Sequence, residues 1–103
     1  PTLLRPPIGH TNPRIAKAAG ELDLRCVGWS VRGLDGLARS DPKRVAARVM
    51  PRLEDGAIVL LHDAAERDDR VPAGVLALPS ILEAMARKNL VGVRVDEWVE
   101  EAT

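Results

Sequence analysis

The sequence predicts an α/β fold built from parallel β/α units, and three observations predict it. Short apolar runs alternate with stretches of helical period. Two of those stretches open on an N-cap residue followed by proline, Asn12-Pro13 and Asp41-Pro42. The resulting order is βαβαβαβα, the mark of a parallel sheet joined by right-handed crossovers. No linker, repeat or low-complexity segment divides the 103 residues, so residues 1–103 are read as one unit.

The elements follow in order. Thr2 to Arg5 is a short first strand, stopped by Pro6-Pro7. The helix opened by Asn12 carries Ile15, Ala18 and Ala19 to about Leu22, with Gly20 weakening its last turn. Leu24 to Trp29 reads as the second strand. The helix after Asp41 sets Val45, Val49 and Leu53 at i, i+4 and i+8, one apolar face. Pro51 kinks or ends it, and Gly56 closes the unit. Ala57 to Leu61 is a continuous apolar run, as expected of a strand buried on both faces. Beyond a polar loop at 66–70, a helix from about Val75 to Lys88 carries Leu78, Ile81, Leu82 and Met85. Pro79 falls near its first turns, and Asn89 serves as a left-handed C-cap. Val91 to Val95 is the fourth strand, and Asp96 caps a short last helix holding Trp98 and Val99.

Composition narrows the function. With two Trp and no Tyr or Phe, the core must be built from Leu, Val, Ile and Ala. Lys+Arg and Asp+Glu are both 15, so no net positive charge draws the chain to a phosphate backbone, which argues against a dedicated nucleic-acid binder. Cys26 stands alone, forms no internal disulfide and reads as a core thiol inside a strand. No apolar run approaches the ~20 residues of a membrane span, and no signal peptide is visible. The opening at Pro1-Thr2, without Met, reads as that of an excised segment. The compartment stays open, the cell envelope and the cytoplasm of a bacterium both being compatible.

In parallel β/α folds the βα loops converge at the C-terminal ends of the strands, and sites form there. The loops expected at that rim are Arg5 to His10, Ser30 with Arg32 to Asp35, His62-Asp63, and Asp96-Glu97. His62 is the most informative residue, because the run Ile58 to Leu61 delivers it to the rim. An imidazole titrates near neutral pH and suits a general acid or base; the competing reading is a strand-end histidine bonded to a carbonyl. Asp35 or Asp63 could orient the ring, although Asp63 reads better as the cap of a turn. Arg5 makes forked contacts with carboxylates and calls for an acidic partner, either within this chain or in a site. Trp29 and Trp98 read as packing, and His10 as a solvated loop residue. A Ser30–His62–Asp35 triad lacks the nucleophile-elbow pattern. Asp63 superficially resembles the phosphoacceptor of a receiver domain, but Arg-Pro-Pro stands where the acidic pair would be. There is no phosphate-cradling Gly loop.

Three segments occur in a telling order: Leu4-Arg5-Pro6-Pro7-Ile8-Gly9, Val27-Gly28-Trp29-Ser30-Val31-Arg32-Gly33-Leu34-Asp35 and Ile58-Val59-Leu60-Leu61-His62-Asp63. Together they resemble the last three motifs of the polysaccharide deacetylase family, the NodB-homology or carbohydrate esterase family 4 enzymes. The tail, from Leu78-Pro79 through Asn89-Leu90 to Val95-Asp96-Glu97-Trp98, resembles the end of that domain. The resemblance covers nearly the whole chain and about the C-terminal half of the family domain.

It implies half of a distorted, TIM-like (β/α) barrel, and a hydrolase that removes acetyl groups from N-acetylated sugars or polysaccharides with a divalent, zinc-like metal. Arg5 would pair with the catalytic-base aspartate. Pro7 and Ile8 would bind substrate, Ile8 standing where the family usually has an aromatic and offering its backbone N–H to the oxyanion. Trp29 and Leu60 would complete the substrate set, Leu60 lining the pocket for the acetate methyl. His62 would be the general acid that protonates the departing amine, with Asp35 holding it and tuning it as an acid. The family often has an acid where Arg32 stands and a Trp where Gly36 stands, so this chain departs from the pattern on both sides of Asp35.

The motifs that supply the family's base aspartate and metal ligands are absent, and the sequence has only two histidines, His10 and His62. About three protein ligands are usual at a hydrolytic metal site. The expectation is therefore no metal site, no cofactor and negligible activity in this chain alone. The alternative is a non-catalytic binding or structural module. Four β/α units cannot close a barrel, and open strand edges invite pairing, so association of two copies is also expected.

Overall fold

The structure is a computed structural model that describes residues 1–6, 9, 11–36, 40–64 and 71–101. It is α/β with parallel strand pairs, in two compact units: Pro1–Gly28 with Val93–Thr103, and Trp29–Gly92. No described helix is long and apolar enough to cross a membrane.

In the first unit, strand β1 (Leu3–Leu4) pairs in parallel with β2 (Arg25–Cys26), Leu3 opposite Arg25 and Leu4 opposite Cys26. Helix α1 (Pro13–Glu21) joins them. Its start is as the sequence reads: the Asn12 side chain accepts from the Ile15 N–H at 3.0 Å, and Pro13 fills the first helical position. It ends in a Schellman motif. Asp23 takes a left-handed φ of 56°, while the Leu24 N–H reaches the Ala19 carbonyl (2.8 Å) and the Asp23 N–H the Gly20 carbonyl (3.2 Å). Cys26 is exposed rather than a core thiol, because β2 has one strand partner among the described residues and both its residues face solvent.

Helix α4 (Val95–Glu101) belongs to the same unit. Asp96 is its second residue and not its cap, and it faces the Arg94 guanidinium at 3.1 and 2.5 Å. Those hydrogen bonds hold the Asp96 carboxyl below the usual carboxylate range. Trp98, read as packing, is 38% exposed.

In the second unit, β3 (Val31–Arg32) pairs in parallel with β4 (Val59–Leu60), Val31 opposite Val59 and Arg32 opposite Leu60. Helix α2 (Pro42–Val49) lies between them in sequence, capped by the Asp41 side chain on the Lys43 N–H at 3.0 Å. Pro51 has no N–H with which to continue the helix, and residues Met50–Arg52 tighten into a 3₁₀ turn. The predicted apolar face holds, with Val45, Val49 and Leu53 all buried. The Lys88 ammonium donates to the Met50 and Leu53 carbonyls (2.7 and 3.1 Å) at the end of that turn.

Helix α3 (Ala73–Arg87) starts two residues before the expected Val75, which places Pro79 in its interior rather than in its first turns. Its end is a second Schellman motif: Asn89 has φ 57°, and Leu90 and Asn89 donate to Met85 and Ala86. The buried face of α3 is built of small residues, Ala73, Gly74, Ala77 and Ala84, around one larger residue, Ile81. Ala73, Ala77, Ile81 and Ala84 pack with Val31, Val45, Ala46, Val49 and Leu53 into the core cluster. The opposite face leaves Val75, Leu76, Leu78 and Leu82 exposed.

Three strand expectations are corrected. The run Leu24 to Trp29 is not one strand: Arg25–Cys26 pairs with β1, while the next strand, Val31–Arg32, pairs with β4. The Ala57 to Leu61 run contributes two strand residues, and all five are half-buried, since β4 is paired on one side among the described residues. Val91 to Val95 forms no strand. A strand needs a hydrogen-bonded neighbour, residues 91–94 have none among the described residues, and Val91 and Val93 are exposed.

Candidate active site

The register of β3 and β4 builds the site. Because Arg32 lies opposite Leu60 in a parallel pair, both strands end at the same level. Asp35 follows three residues after one and His62 two residues after the other, so adjacent C-terminal strand ends carry them to one rim. The pairing is firm on both sides. The Ser30 and Val31 N–H groups both donate to the Ile58 carbonyl (3.0 and 3.1 Å), and the Gly33 N–H to that of Leu60 (3.3 Å). Ser30 Oγ accepts from the Ile58 N–H at 2.9 Å and lies 3.5 Å from the Ile58 carbonyl. That hydroxyl serves the strand pair and is not aligned as a nucleophile against His62.

Between β3 and Asp35 the chain turns at Leu34, which adopts a left-handed φ of 55°. For an L-residue other than Asn or Asp this conformation costs about 1–2 kcal/mol. The turn delivers Asp35 inward, and its side chain is 1% exposed. Both carboxylate oxygens are used. Oδ2 accepts from the His62 backbone N–H at 2.6 Å, and Oδ1 lies 2.9 Å from His62 Nδ1. A carboxylate only accepts, so Nδ1 carries a proton and Nε2 is left for chemistry. The ring is half exposed, with the His62 side chain at 50%. A buried carboxylate thus fixes the ring's tautomer and orientation while the imidazole meets solvent. Such an arrangement can transfer a proton at Nε2 and stabilise the imidazolium that results.

The other expected residues are placed as follows. Arg5, at the end of β1, donates from Nη2 to the Gly28 carbonyl (3.1 Å) and from Nε to that of Val27 (3.4 Å). Trp29 and Leu60 are half-buried. Asp63 is exposed, and the carboxylate that meets His62 is that of Asp35. Pro7, Ile8 and His10 lie outside the described residues, as does the loop at 66–70. Among the described residues no three His, Cys, Asp or Glu side chains are gathered so that they could hold a metal ion.

Sequence comparison finds curated relatives that are sugar deacetylases. A bifunctional xylanase/xylan deacetylase of Cellvibrio japonicus is 32% identical over 96 residues, 93% of this chain and 14% of the relative. A peptidoglycan-N-acetylglucosamine deacetylase of Listeria monocytogenes is 40% identical over 63 residues, 61% of this chain and 13% of the relative. No family model matches the chain.

Comparison with solved structures agrees. A family 4 carbohydrate esterase from Streptomyces lividans, solved with acetate, superposes with a TM-score of 0.76 at 26% identity, over 92% of this chain and 45% of that one. The peptidoglycan deacetylase PdaC of Bacillus subtilis gives 0.76 and 26%, over 97% of this chain and 45% of that one. The chain therefore spans less than half the length of these structures, and about one seventh of the curated relatives. Likeness in sequence and likeness in fold arrive at one family from separate directions: the chain matches part of the (β/α)-barrel domain of the polysaccharide deacetylases of carbohydrate esterase family 4.

Proposed function

We propose that this chain supplies the proton-donating side of an active site that hydrolyses N-acetyl groups on sugars. The observation that carries the reading is the buried Asp35 carboxylate holding His62 by both its backbone N–H and its Nδ1. In the proposed step the amide C–N bond of the tetrahedral intermediate breaks, and the imidazolium Nε2–H gives its proton to the departing amine nitrogen. Asp35 stabilises the imidazolium before that transfer. By the family resemblance, orienting the base aspartate falls to Arg5, substrate binding to Pro7, Ile8 and Trp29, and the acetate-methyl pocket to Leu60.

The family's divalent metal polarises the acetyl carbonyl and activates water when bound. Among the described residues no gathered set of His, Cys, Asp or Glu fits such a site, and the part proposed for this chain is positioning and proton transfer. The chain alone is expected to release no acetate from N-acetylglucosamine oligomers. Replacing the matching segment of the Streptomyces esterase domain with this chain should give acetate release. A folded, metal-loaded chimera that released none would sink the reading.

A second reading is favoured by one observation: Val75, Leu76, Leu78 and Leu82 stand exposed on a single helix, an apolar surface that a second copy would cover. In that reading the isolated chain self-associates. Sedimentation at micromolar concentration should show a dimer, and a monomer there would remove it.

A further inference from the structure

A glycine on another element leaves the space that the Asp35 carboxylate occupies. Gly74 is the second residue of α3 and is buried. A Cβ built on it would fall 2.0 Å from Asp35 Oδ2, 3.0 Å from Asp35 Cγ and 3.1 Å from the His62 carbonyl oxygen. A methyl group cannot share that space with the carboxylate. Nor can the carboxylate swing aside cheaply, because it is buried and both its oxygens are hydrogen-bonded to His62. A group displaced from such bonds leaves donors unsatisfied, at the full cost of their desolvation. The start of α3 adds a second feature. Its N-cap is Pro72, which gives no side-chain cap bond, and its first turn holds no acidic residue. The carboxylate resting on the bare Cα of that first turn is the one from Asp35.

On the other side, a Cβ on Gly36 would lie 3.2–3.3 Å from His62 Cε1, Nε2 and Nδ1. The imidazole therefore lies over Gly36, with room to yield by a few tenths of an ångström. The two glycines flank the pair, and the Gly74 contact is the strict one.

We propose that Gly74 is a positioning residue, whose missing side chain is the seat in which the Asp35 carboxylate holds His62 with its proton on Nδ1. Its importance for deacetylation rests on the function proposed above; the seating of the carboxylate does not. The same feature explains why a helix former as poor as glycine occupies the first turn of a long helix.

Long-range ¹H–¹⁵N correlation spectra of the full 103-residue chain, recorded where His62 is neutral, test this. The wild-type chain should show the Nδ1–H tautomer. Gly74→Ala should lose it in favour of Nε2–H, while Gly36→Ala should keep it. The denaturation midpoint gives the second measurement. Gly74→Ala should lower it in the wild-type background and much less, or not at all, in the Asp35→Ala background, where the carboxylate is gone, only the His62 carbonyl at 3.1 Å stays close, and alanine favours the helix. If Gly74→Ala fails to fold, the double variant should fold as well as Asp35→Ala alone. An unchanged tautomer, an equal fall in both backgrounds, or an unfolded double variant beside a folded Asp35→Ala would overturn the proposal. Acetate release by the chimera tests the role of His62 separately, so either claim can fail while the other stands.

Discussion

Replacing His62 by alanine in a deacetylase domain completed around this chain is expected to lower acetate release about 10²–10⁴-fold, the usual contribution of one positioned proton donor. The loss should fall on kcat and leave KM nearly unchanged, because in the proposed step the proton is given only as the C–N bond breaks. Asp35→Asn should approach the same loss, and the structure gives the reason. His62 directs two donors at Asp35, its backbone N–H at 2.6 Å and Nδ1 at 2.9 Å, and both carboxylate oxygens accept. An asparagine has one acceptor oxygen and one donor amide. If the oxygen keeps the backbone N–H, the amide faces Nδ1 and drives the ring to the Nε2–H tautomer. If the oxygen keeps Nδ1–H, the amide faces a backbone N–H in a buried place. Either arrangement breaks the geometry without changing the size of the side chain. Acetate release by His62→Ala within about threefold of the parent would rule out a chemical role for this histidine.

The parts of the fold that were legible in the sequence are those decided locally. Asn12-Pro13 and Asp41-Pro42 start helices because the cap oxygen and the proline ring act within one turn. Asn89 ends α3 for an equally local reason, and Asp23 ends α1 in the same geometry without having been singled out. Strands depend on a partner far along the chain, and there the sequence misleads. The apolar run from Leu24 to Trp29 holds only the two residues that pair with β1, and the strand that pairs with β4 begins beyond it, at Val31. Val91, Val93 and Val95 alternate as a strand would, yet no described strand pairs with 91–94.

The meeting of Asp35 with His62 was open to the sequence because parallel strands send their C-terminal loops to one rim. Gly74 was not. A glycine needed for its lack of a side chain declares itself only once the neighbour is known, and that neighbour lies 39 positions earlier in the sequence, at Asp35. The available signal was a helix beginning Ala73-Gly74 after a proline, with no capping side chain to explain it.

The core sets the other large effect. Ile81→Ala should destabilise the chain by about 2–5 kcal/mol, the range for deleting a buried isoleucine to alanine. This side chain is 2% exposed and is the largest on an α3 face otherwise made of alanine and glycine. It shares the core cluster with Val45 and Val49, which are fully buried on α2. A folded chain of this size has about 5–15 kcal/mol of stability in all, so the change removes a substantial fraction of it. Leu82, the next residue along the same helix, is 52% exposed, and Leu82→Ala should move stability by no more than about 0.5 kcal/mol. Denaturant titrations of the two variants side by side decide the matter. Equal midpoints for Ile81→Ala and Leu82→Ala would mean that α3 does not pack on α2 through the face described, and the seat of the Asp35 carboxylate on Gly74 would fall with it, since the same face carries both.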